Sequence, residues 1–370
     1  MKFRIGALVF LIFVFRLDAV FAEAQALRIG LISPLTGPLA PLASSEGTIL
    51  AIEEANSKGG IGGRRIDLIV EDGKCEGAAA AAAVHKLIDV HGVKFILGGQ
   101  CSVETLAIAP IVQRAKVVTI ASTSSSPDIS QAGSFVFRTS PNSLKQGELL
   151  AQFAARQGYS RVLSLTEESP YAAPITAEFT RVFSASGGRV IRNVTFNKET
   201  SDFRSLLSSG RALKPSAIII VAQSVPLAAQ VVRQMKDLRI DVPVLSGETI
   251  GNVPTAWPQY SDLFEGITFS QPGFDLAGPR ALAMIERYKQ RFGGSGLKYP
   301  YQAEAYDAAT ILLRTIERCG DDAEKVQSCL SKMKDFPGAS GNITFDENGD
   351  AVWPYVMKRI SSGKVVDVRS

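Results

Sequence analysis

The sequence is poor in the residue types that most often carry out catalysis or bind metal ions. It has two histidines, His85 and His91, among 370 residues. An enzyme would need a nucleophile–base pair, which these two histidines are poorly placed to supply, since His85 lies in a predicted helix and His91 near its end. No segment has the cysteine and histidine spacing of a zinc site. We therefore predict no catalytic residues, no metal site and no cofactor.

Charge of one sign is also lacking. The chain carries 40 Lys+Arg and 36 Asp+Glu, a net charge of +4, and no run of like charges stands out. A protein that binds nucleic acid needs a basic stripe or patch, and the sequence has none. We therefore expect no nucleic-acid partner.

Long apolar runs are absent beyond the N-terminus, so no later segment reaches the roughly 20 residues that a membrane-spanning helix needs. At the N-terminus, Lys2 and Arg4 precede a short apolar run, and small residues end at Ala22. This order is typical of a secretory signal peptide. We predict that residues 1–22 direct export and are removed; an uncleaved anchor is the alternative.

Only four cysteines are present, and their number is even, which favours disulfides in an exported chain. Three pairings are possible. Cys75 and Cys101 follow two predicted strands whose neighbouring ends lie close enough for a bridge, while Cys319 and Cys329 are close in sequence.

What the sequence does contain is a regular alternation of strands and helices, typical of α/β folds with parallel sheets covered by helices on both faces. The alternation starts near residue 27 and restarts near residue 143, which predicts two similar lobes. Three late helices are expected to return to the first lobe and the last strands to join the second. The chain would then cross between lobes near 139–143, 270–274 and 339–346. The predicted boundaries are 25–141 plus 273–340 for the first lobe and 142–272 plus 341–370 for the second.

Ligands of open α/β sheets bind beyond the carboxyl ends of the strands. In the first half, the loops at these ends offer hydroxyl groups, as at Ser102 and in the segment 122–126, together with helix N-termini that stabilise a carboxylate. In the second half, Glu248 offers an acid for an ammonium group and Tyr171 an aromatic wall. Such a set suits a zwitterion held between the lobes. The alternatives are that Ser102 only caps a helix and that Glu248 is an exposed loop carboxylate.

Several segments, in the same order along the chain, resemble the periplasmic substrate-binding proteins of branched-chain amino-acid ABC transporters. The resemblance covers nearly the whole chain after residue 22. It rests on segments 29–38, 56–63, 71–75, 98–102, 137–139 and 345–350.

The resemblance implies a type I periplasmic binding fold, in which two Rossmann-like lobes with parallel central sheets are joined by three crossover strands and close like a hinged clamp. It also implies a periplasmic monomer that passes its ligand to ABC permease subunits in the inner membrane. The first expectation for the ligand is an aliphatic or branched-chain amino acid. An amide, urea, an aromatic carboxylate, or a role as a sensory module are the alternatives.

The resemblance also implies roles for individual residues. Ser102 would contact the ligand carboxylate, Thr123 and Ser125 the carboxylate or the ammonium, and Glu248 the ammonium. Tyr171 would form an aromatic wall of the cleft. The pairing of Cys75 with Cys101 matches the disulfide of the family.

The chain departs from the family pattern at two positions that bear on the ligand. Ser224 and Leu42 stand where relatives often carry aromatic residues. Both positions are kept as candidate ligand-binding residues, with a pocket of altered size or polarity. Cys319 and Cys329 are additional to the pattern, and a second disulfide is expected there.

Overall fold

The computed structural model describes residues 25–368. The predicted signal peptide, residues 1–22, lies outside the described residues. Within the described part, no helix is both long enough and apolar enough to cross a membrane.

The first lobe is built on a five-stranded parallel sheet with the order β2-β1-β3-β4-β5. Its central strands are rich in Ile, Leu and Val and are buried, because helices cover both faces of the sheet. The strands are β1 Leu27–Ser33, β2 Ile66–Asp72, β3 Phe95–Leu97, β4 Val118–Ala121 and β5 Val136–Arg138.

Helices from both ends of the sequence cover this sheet. Three follow its strands, and three come from the last third of the chain, where a short hairpin of two strands, β11 and β12, follows them. The early helices are α1 Ser45–Ser57, α2 Gly77–His85 and α3 Ser102–Ala115; the late elements are α9 Pro279–Phe292, α10 Tyr301–Cys319, α11 Ala323–Leu330, β11 Phe336–Pro337 and β12 Asn342–Ile343.

The second lobe contains a seven-stranded sheet with the order β14-β13-β10-β9-β8-β6-β7. Strands β6 to β10 are parallel, whereas β13 and β14 pair antiparallel at one edge. The strands are β6 Arg161–Glu167, β7 Arg189–Phe196, β8 Ala217–Val221, β9 Val244–Ser246, β10 Thr268–Pro272, β13 Tyr355–Ser361 and β14 Lys364–Asp367.

Five helices belong to this lobe, and short helical turns punctuate both lobes. Apolar residues on one side of α4, α5 and α7 pack on the sheet, as the helical period requires. The helices are α4 Leu144–Arg156, α5 Ala172–Ala185, α6 Arg204–Arg211, α7 Val225–Asp237 and α8 Val253–Ala256; the turns are Ala40–Leu42, Lys86–Val90, Pro127–Gln131, Glu248–Asn252 and Pro258–Tyr260.

The predicted fold class, two parallel-rich sheets flanked by helices, is confirmed. The late helices do return to the first lobe, where α10 packs against α1. The chain passes between the sheets after β5 and after β10, inside or next to the first two predicted crossings.

The third crossing lies later than predicted. Ile343, Phe345 and Ala351 belong to the core of the first lobe, and the rings of Phe137 and Phe345 lie 5.3 Å apart. The backbone N–H of Ala351 also donates to the carbonyl of Arg138 at 3.0 Å. The segment 342–351 was predicted in the second lobe but packs on the first, because its apolar residues fill the core beside β5. Trp353 belongs to the same core, so we propose lobes of 25–141 plus 273–353 and 142–272 plus 354–368.

Both expected disulfides are present. Cys75 and Cys101 join the loops after β2 and β3, with 5.4 Å between their Cα atoms. Cys319 and Cys329 link the end of α10 to α11, and no described cysteine is free. The first bridge spans 26 residues. By restricting the unfolded chain it stabilises the fold by about 3.5 kcal/mol in the chain-entropy treatment.

Candidate functional site

The candidate site is a cavity between the two lobes, at the carboxyl ends of their parallel strands. It encloses about 550 Å³, including its opening to solvent. Loops after β1, β3 and β4 line it from the first lobe, and loops after β6, β8 and β9 from the second, as the topology of such sheets dictates. The lining residues are Pro34, Leu39, Gln100, Cys101, Ser102, Thr123, Tyr171, Gln223, Glu248, Thr249, Asn252 and Tyr301.

The hydroxyl-bearing residues of the first lobe lie at the start of α3 and in the loop after β4. Ser102 is the first residue of α3, and its Oγ accepts from the backbone N–H of Ser126 at 3.1 Å. Thr123 Oγ1 donates to the carbonyl of Gln100 at 2.8 Å. These bonds join the two loops, so both present their polar groups to the same cavity.

The alternative interpretation was that Ser102 only caps α3, but Ser102 is not the capping residue of this helix. Cys101 is the capping residue, and its backbone N–H donates to the carboxylate of Glu104 at 2.9 Å. The other oxygen of Glu104 accepts from the N–H of Cys75, also at 2.9 Å. Because Glu104 serves the cap and the disulfide loop, the hydroxyl of Ser102 is not needed there.

An ion pair behind the cavity holds the loop after β4. The guanidinium of Arg138 is fully buried and donates to both carboxylate oxygens of Asp350, each at 2.6 Å. It also donates to the carbonyls of Ser124 and Ser126 at 3.2 and 2.6 Å. Such bidentate pairing fixes the planar group strongly. Arg138 therefore positions the loop that carries Thr123 and Ser125.

Glu248 is the acidic group of the cavity. It follows β9, is 5% exposed, and its Oε1 accepts from Ser125 Oγ at 3.3 Å. Its Oε2 is buried and has no hydrogen-bond partner within residues 25–368. Burial raises the pKa of Glu248 to about 7, against the opposing effect of nearby Gln146, Tyr301 and Ser125. No described cation pairs with this carboxylate, so a positively charged group of a ligand could pair with it.

Two tyrosines flank Glu248. Tyr171 precedes α5 and Tyr301 begins α10, and both are nearly buried. Burial, and then the charge of Glu248, raise the pKa of each phenol well above its usual value, so both stay protonated. A Cβ at Gly247 would lie 2.7 Å from the Tyr171 hydroxyl, so a side chain at this position would displace that hydroxyl.

The two lobes touch across the cleft. Besides the Ser125–Glu248 bond, Nε2 of Gln223 donates to Sγ of Cys75 at 3.1 Å. Nearer the surface, Lys198 pairs with Glu76 at 3.1 Å. The cavity is therefore held between closed lobes.

The structure brings most of the predicted site residues together. Ser102, Thr123, Tyr171 and Glu248 line the cavity, and Ser125 contacts it through Glu248.

Ser224 does not line the cavity. Its Oγ instead accepts from the N–H of Leu227 at 3.4 Å and caps α7. The side chain of Leu42 lies outside the described residues, while Leu39, three residues earlier, lines the cavity.

Besides Pro34 and Leu39, five lining residues were not predicted as site residues. Gln100 and Gln223 do stand in strand-end loops that the sequence marks. Tyr301 comes from a distant helix, so only the assembled fold reveals it. The five are Gln100, Gln223, Thr249, Asn252 and Tyr301.

Two further acids lie buried on α10, behind the cavity. Asp307 accepts from the backbone N–H groups of Ala339 and Ser340 at 2.7 Å. Burial raises its pKa to about 6. Both carboxylate oxygens of Glu304 lack a partner among the described residues. Burial, and then the charges of Glu248 and Asp307, raise the pKa of Glu304 well above its usual value.

These acids predict how stability depends on pH. Glu248, Glu304 and Asp307, and also Glu104 and Glu167, have raised pKa values in the fold because they are buried. The folded state therefore binds more protons than the unfolded state, and stability falls as the pH rises through about 6 and about 7 for Asp307 and Glu248.

We therefore expect the ligand-free protein to unfold at higher urea concentration at about pH 5.5 than at about pH 7.5. Glu248→Gln should reduce this difference, because its side chain does not titrate. An undiminished difference in the variant would contradict the assignment to Glu248.

Among the described residues, no cluster of histidine, cysteine and carboxylate side chains is arranged to hold a metal ion.

Comparison with known proteins gives concordant matches over nearly the whole chain. The family model described as periplasmic binding protein matches residues 26–364. A leucine-, isoleucine-, valine-, threonine- and alanine-binding protein from Pseudomonas aeruginosa is 28% identical over 335 residues, which cover 88% of this chain and 87% of the relative.

Solved structures share the architecture. A leucine-binding protein from Thermotoga maritima superposes with a TM-score of 0.85 at 31% identity, covering 93% of this chain and 98% of that chain. A solute-binding protein from R. palustris in complex with benzoate has a TM-score of 0.81 at 19% identity, covering 93% and 95%; this second likeness shows the fold alone. The resemblance found in the sequence motifs is confirmed, and the chain belongs to the periplasmic binding protein family.

Proposed function

We propose that the protein captures a free α-amino acid between its lobes and delivers it, unchanged, to the membrane subunits of an ABC importer. The observation that carries this proposal is Glu248, a buried carboxylate that has one unpartnered oxygen and no cation beside it within residues 25–368. Export by residues 1–22, a periplasmic location and a monomeric state belong to the same proposal.

The two sides of the cavity suit the two charges of a zwitterion. On the first lobe, the hydroxyl of Ser102 lies at the N-terminus of α3, where the helix dipole favours a carboxylate. On the second lobe, Glu248 suits an ammonium. An α-amino acid carries these charges on one carbon, so it would link the lobes and stabilise their closed arrangement.

The relatives support an amino acid whose side chain is about as large as an aliphatic one. The Pseudomonas relative is named for leucine, isoleucine, valine, threonine and alanine, and the Thermotoga structure is of a leucine-binding protein. Leu39, Pro34 and Tyr301 supply apolar wall for such a side chain here.

A second candidate is an aromatic carboxylate. Tyr171 and Tyr301 offer aromatic walls, and a Glu248 with its pKa at about 7 can hold a proton and donate to an oxygen. The structural neighbour from R. palustris holds benzoate. In this case the ligand would bring no ammonium, and the two candidates therefore make different predictions.

A thermal-shift screen of refolded, ligand-stripped protein separates the candidates. The panel contains amino acids, aliphatic amides, urea and aromatic carboxylates. A ligand at a hundred times its Kd stabilises the folded state by about 2.7 kcal/mol, which raises the Tm by several degrees. We expect such a rise with amino acids; a rise with aromatic acids alone would favour the second candidate and contradict the first.

A further inference from the structure

Asn252 is a cavity-lining residue whose side-chain amide opens to the cavity. It ends the helical turn Glu248–Asn252, lines the cavity and is 3% exposed. Its backbone carbonyl accepts from Thr255, but its side chain has no hydrogen-bond partner within residues 25–368. A carboxamide has two donor hydrogens and an acceptor oxygen, and buried polar groups are nearly always paired. The amide atoms of Asn252 are not among the fully buried, unpaired side-chain atoms of residues 25–368, so they open to the cavity, and a ligand that fills the cavity has to supply their hydrogen-bond partner.

Neighbouring side chains leave further hydrogen-bonding capacity on the same lobe. Gln223 uses an amide hydrogen on Cys75 Sγ at 3.1 Å, and its amide oxygen accepts from no described residue. Thr249 donates its hydroxyl hydrogen to the carbonyl of Ala222 at 2.8 Å, which leaves the oxygen free to accept. The second lobe thus offers donors and acceptors beyond the acid that meets an ammonium.

The charge of the lining limits what can occupy this region. Among the lining residues of the described chain, Glu248 is the only one that ionises to a carboxylate, and no lysine or arginine is present. Glu248 is taken by the ammonium in the proposed function. A second charge on the ligand would therefore be buried without a partner, which is costly.

We propose that the ligand is an α-amino acid whose side chain ends in a neutral hydrogen-bonding group, a carboxamide or a hydroxyl, held by Asn252. This inference rests on the proposed function and names the class of side chain that the same site accepts. An aliphatic side chain of equal size would bury the amide of Asn252 unpaired. A site built to hydrogen-bond its ligand discriminates against analogues that lack the matching group.

Near-isosteric pairs of amino acids test the proposal in the wild-type protein. Calorimetric titration of the ligand-stripped chain should give a Kd for asparagine at least about tenfold lower than for leucine, and the same order for threonine against valine. Each pair matches size closely and differs in hydrogen bonding.

Substitution of the amide supplies the reciprocal test. Asn252→Leu should weaken asparagine binding at least about tenfold while leucine binding is unchanged or tighter. Asn193→Leu, at an exposed position of β7 outside the cavity lining, is the matched control and should alter neither Kd.

The outcomes are distinguishable. Leucine and valine binding as tightly as asparagine and threonine would overturn the inference and leave the proposed function standing. Failure of every amino acid to bind would overturn both. The wild-type comparison needs no variant, so it decides the question even if Asn252→Leu does not fold.

Discussion

Asp350→Asn is expected to destabilise the protein by about 3–5 kcal/mol, because it leaves the guanidinium of Arg138 buried without its counter-charge. Arg138 is fully buried and Asp350 is 5% exposed. The pair joins β5 to the segment just before the third crossing, and Arg138 also fixes the loop 122–126. The loss should therefore be seen both in urea unfolding and in weaker ligand binding.

The control is an ion pair of equal length at the surface. Arg64 and Asp321 lie 2.6 Å apart, as Arg138 and Asp350 do, but their side chains are 31% and 51% exposed. Asp321→Asn should cost at most about 1 kcal/mol. Equal losses in the two variants would show that burial does not determine the contribution of the inner pair.

Glu248→Gln should weaken binding of the best amino acid in the thermal-shift panel by about 2 kcal/mol or more, roughly thirtyfold. The substitution keeps the shape of the side chain and removes the only carboxylate that the described residues contribute to the cavity lining. The ammonium of the ligand would then be buried beside a neutral amide. Calorimetric titration at about pH 8, where the wild-type carboxylate is ionised, measures the difference.

Glu168→Gln is the matched control, since Glu168 is an exposed carboxylate on the loop after β6 of the same lobe. Its Kd should equal that of the wild type. An unchanged Kd in Glu248→Gln, with the control also unchanged, would remove Glu248 from the ligand site. The same ligand must be used for all three proteins.

Local patterns in the sequence predict much of the fold. The sequence predicts helices at 45–57 and 226–238, from a terminal glycine signal after the first and apolar residues at helical spacing in the second, and α1 and α7 lie close to these bounds. The three-residue strand β5 and the strand β10 were not predicted as strands, and α6 was not predicted as a helix. Short segments carry too few residues to display a period. Where 342–351 packs depends on a core formed by distant residues such as Phe137, and no local pattern encodes that.

The residues of the candidate site likewise fall into those that the sequence predicts and those that only the assembled fold reveals. Ser102 and Glu248 follow strands, so the rule for open sheets marks them as site residues. Ser224 also follows a strand, but its hydroxyl is used to cap α7. Tyr301 lies at the cavity only because α10, far away in the sequence, packs beside these loops, whereas Asn252 ends the helical turn that begins at Glu248.

The interleaved course of the chain has a consequence for folding. α1 packs against α10, and the backbone N–H of Gly47 in α1 donates to Oε1 of Gln302 in α10, 255 residues later. Contacts between such distant segments slow folding, because a long loop must close before they form. The second sheet is likewise completed at one edge only when β13 and β14, near the end of the chain, pair beside β10. A chain that stops before Tyr301 would lack α10 in the first lobe and β13 in the second, so truncation there leaves both lobes incomplete.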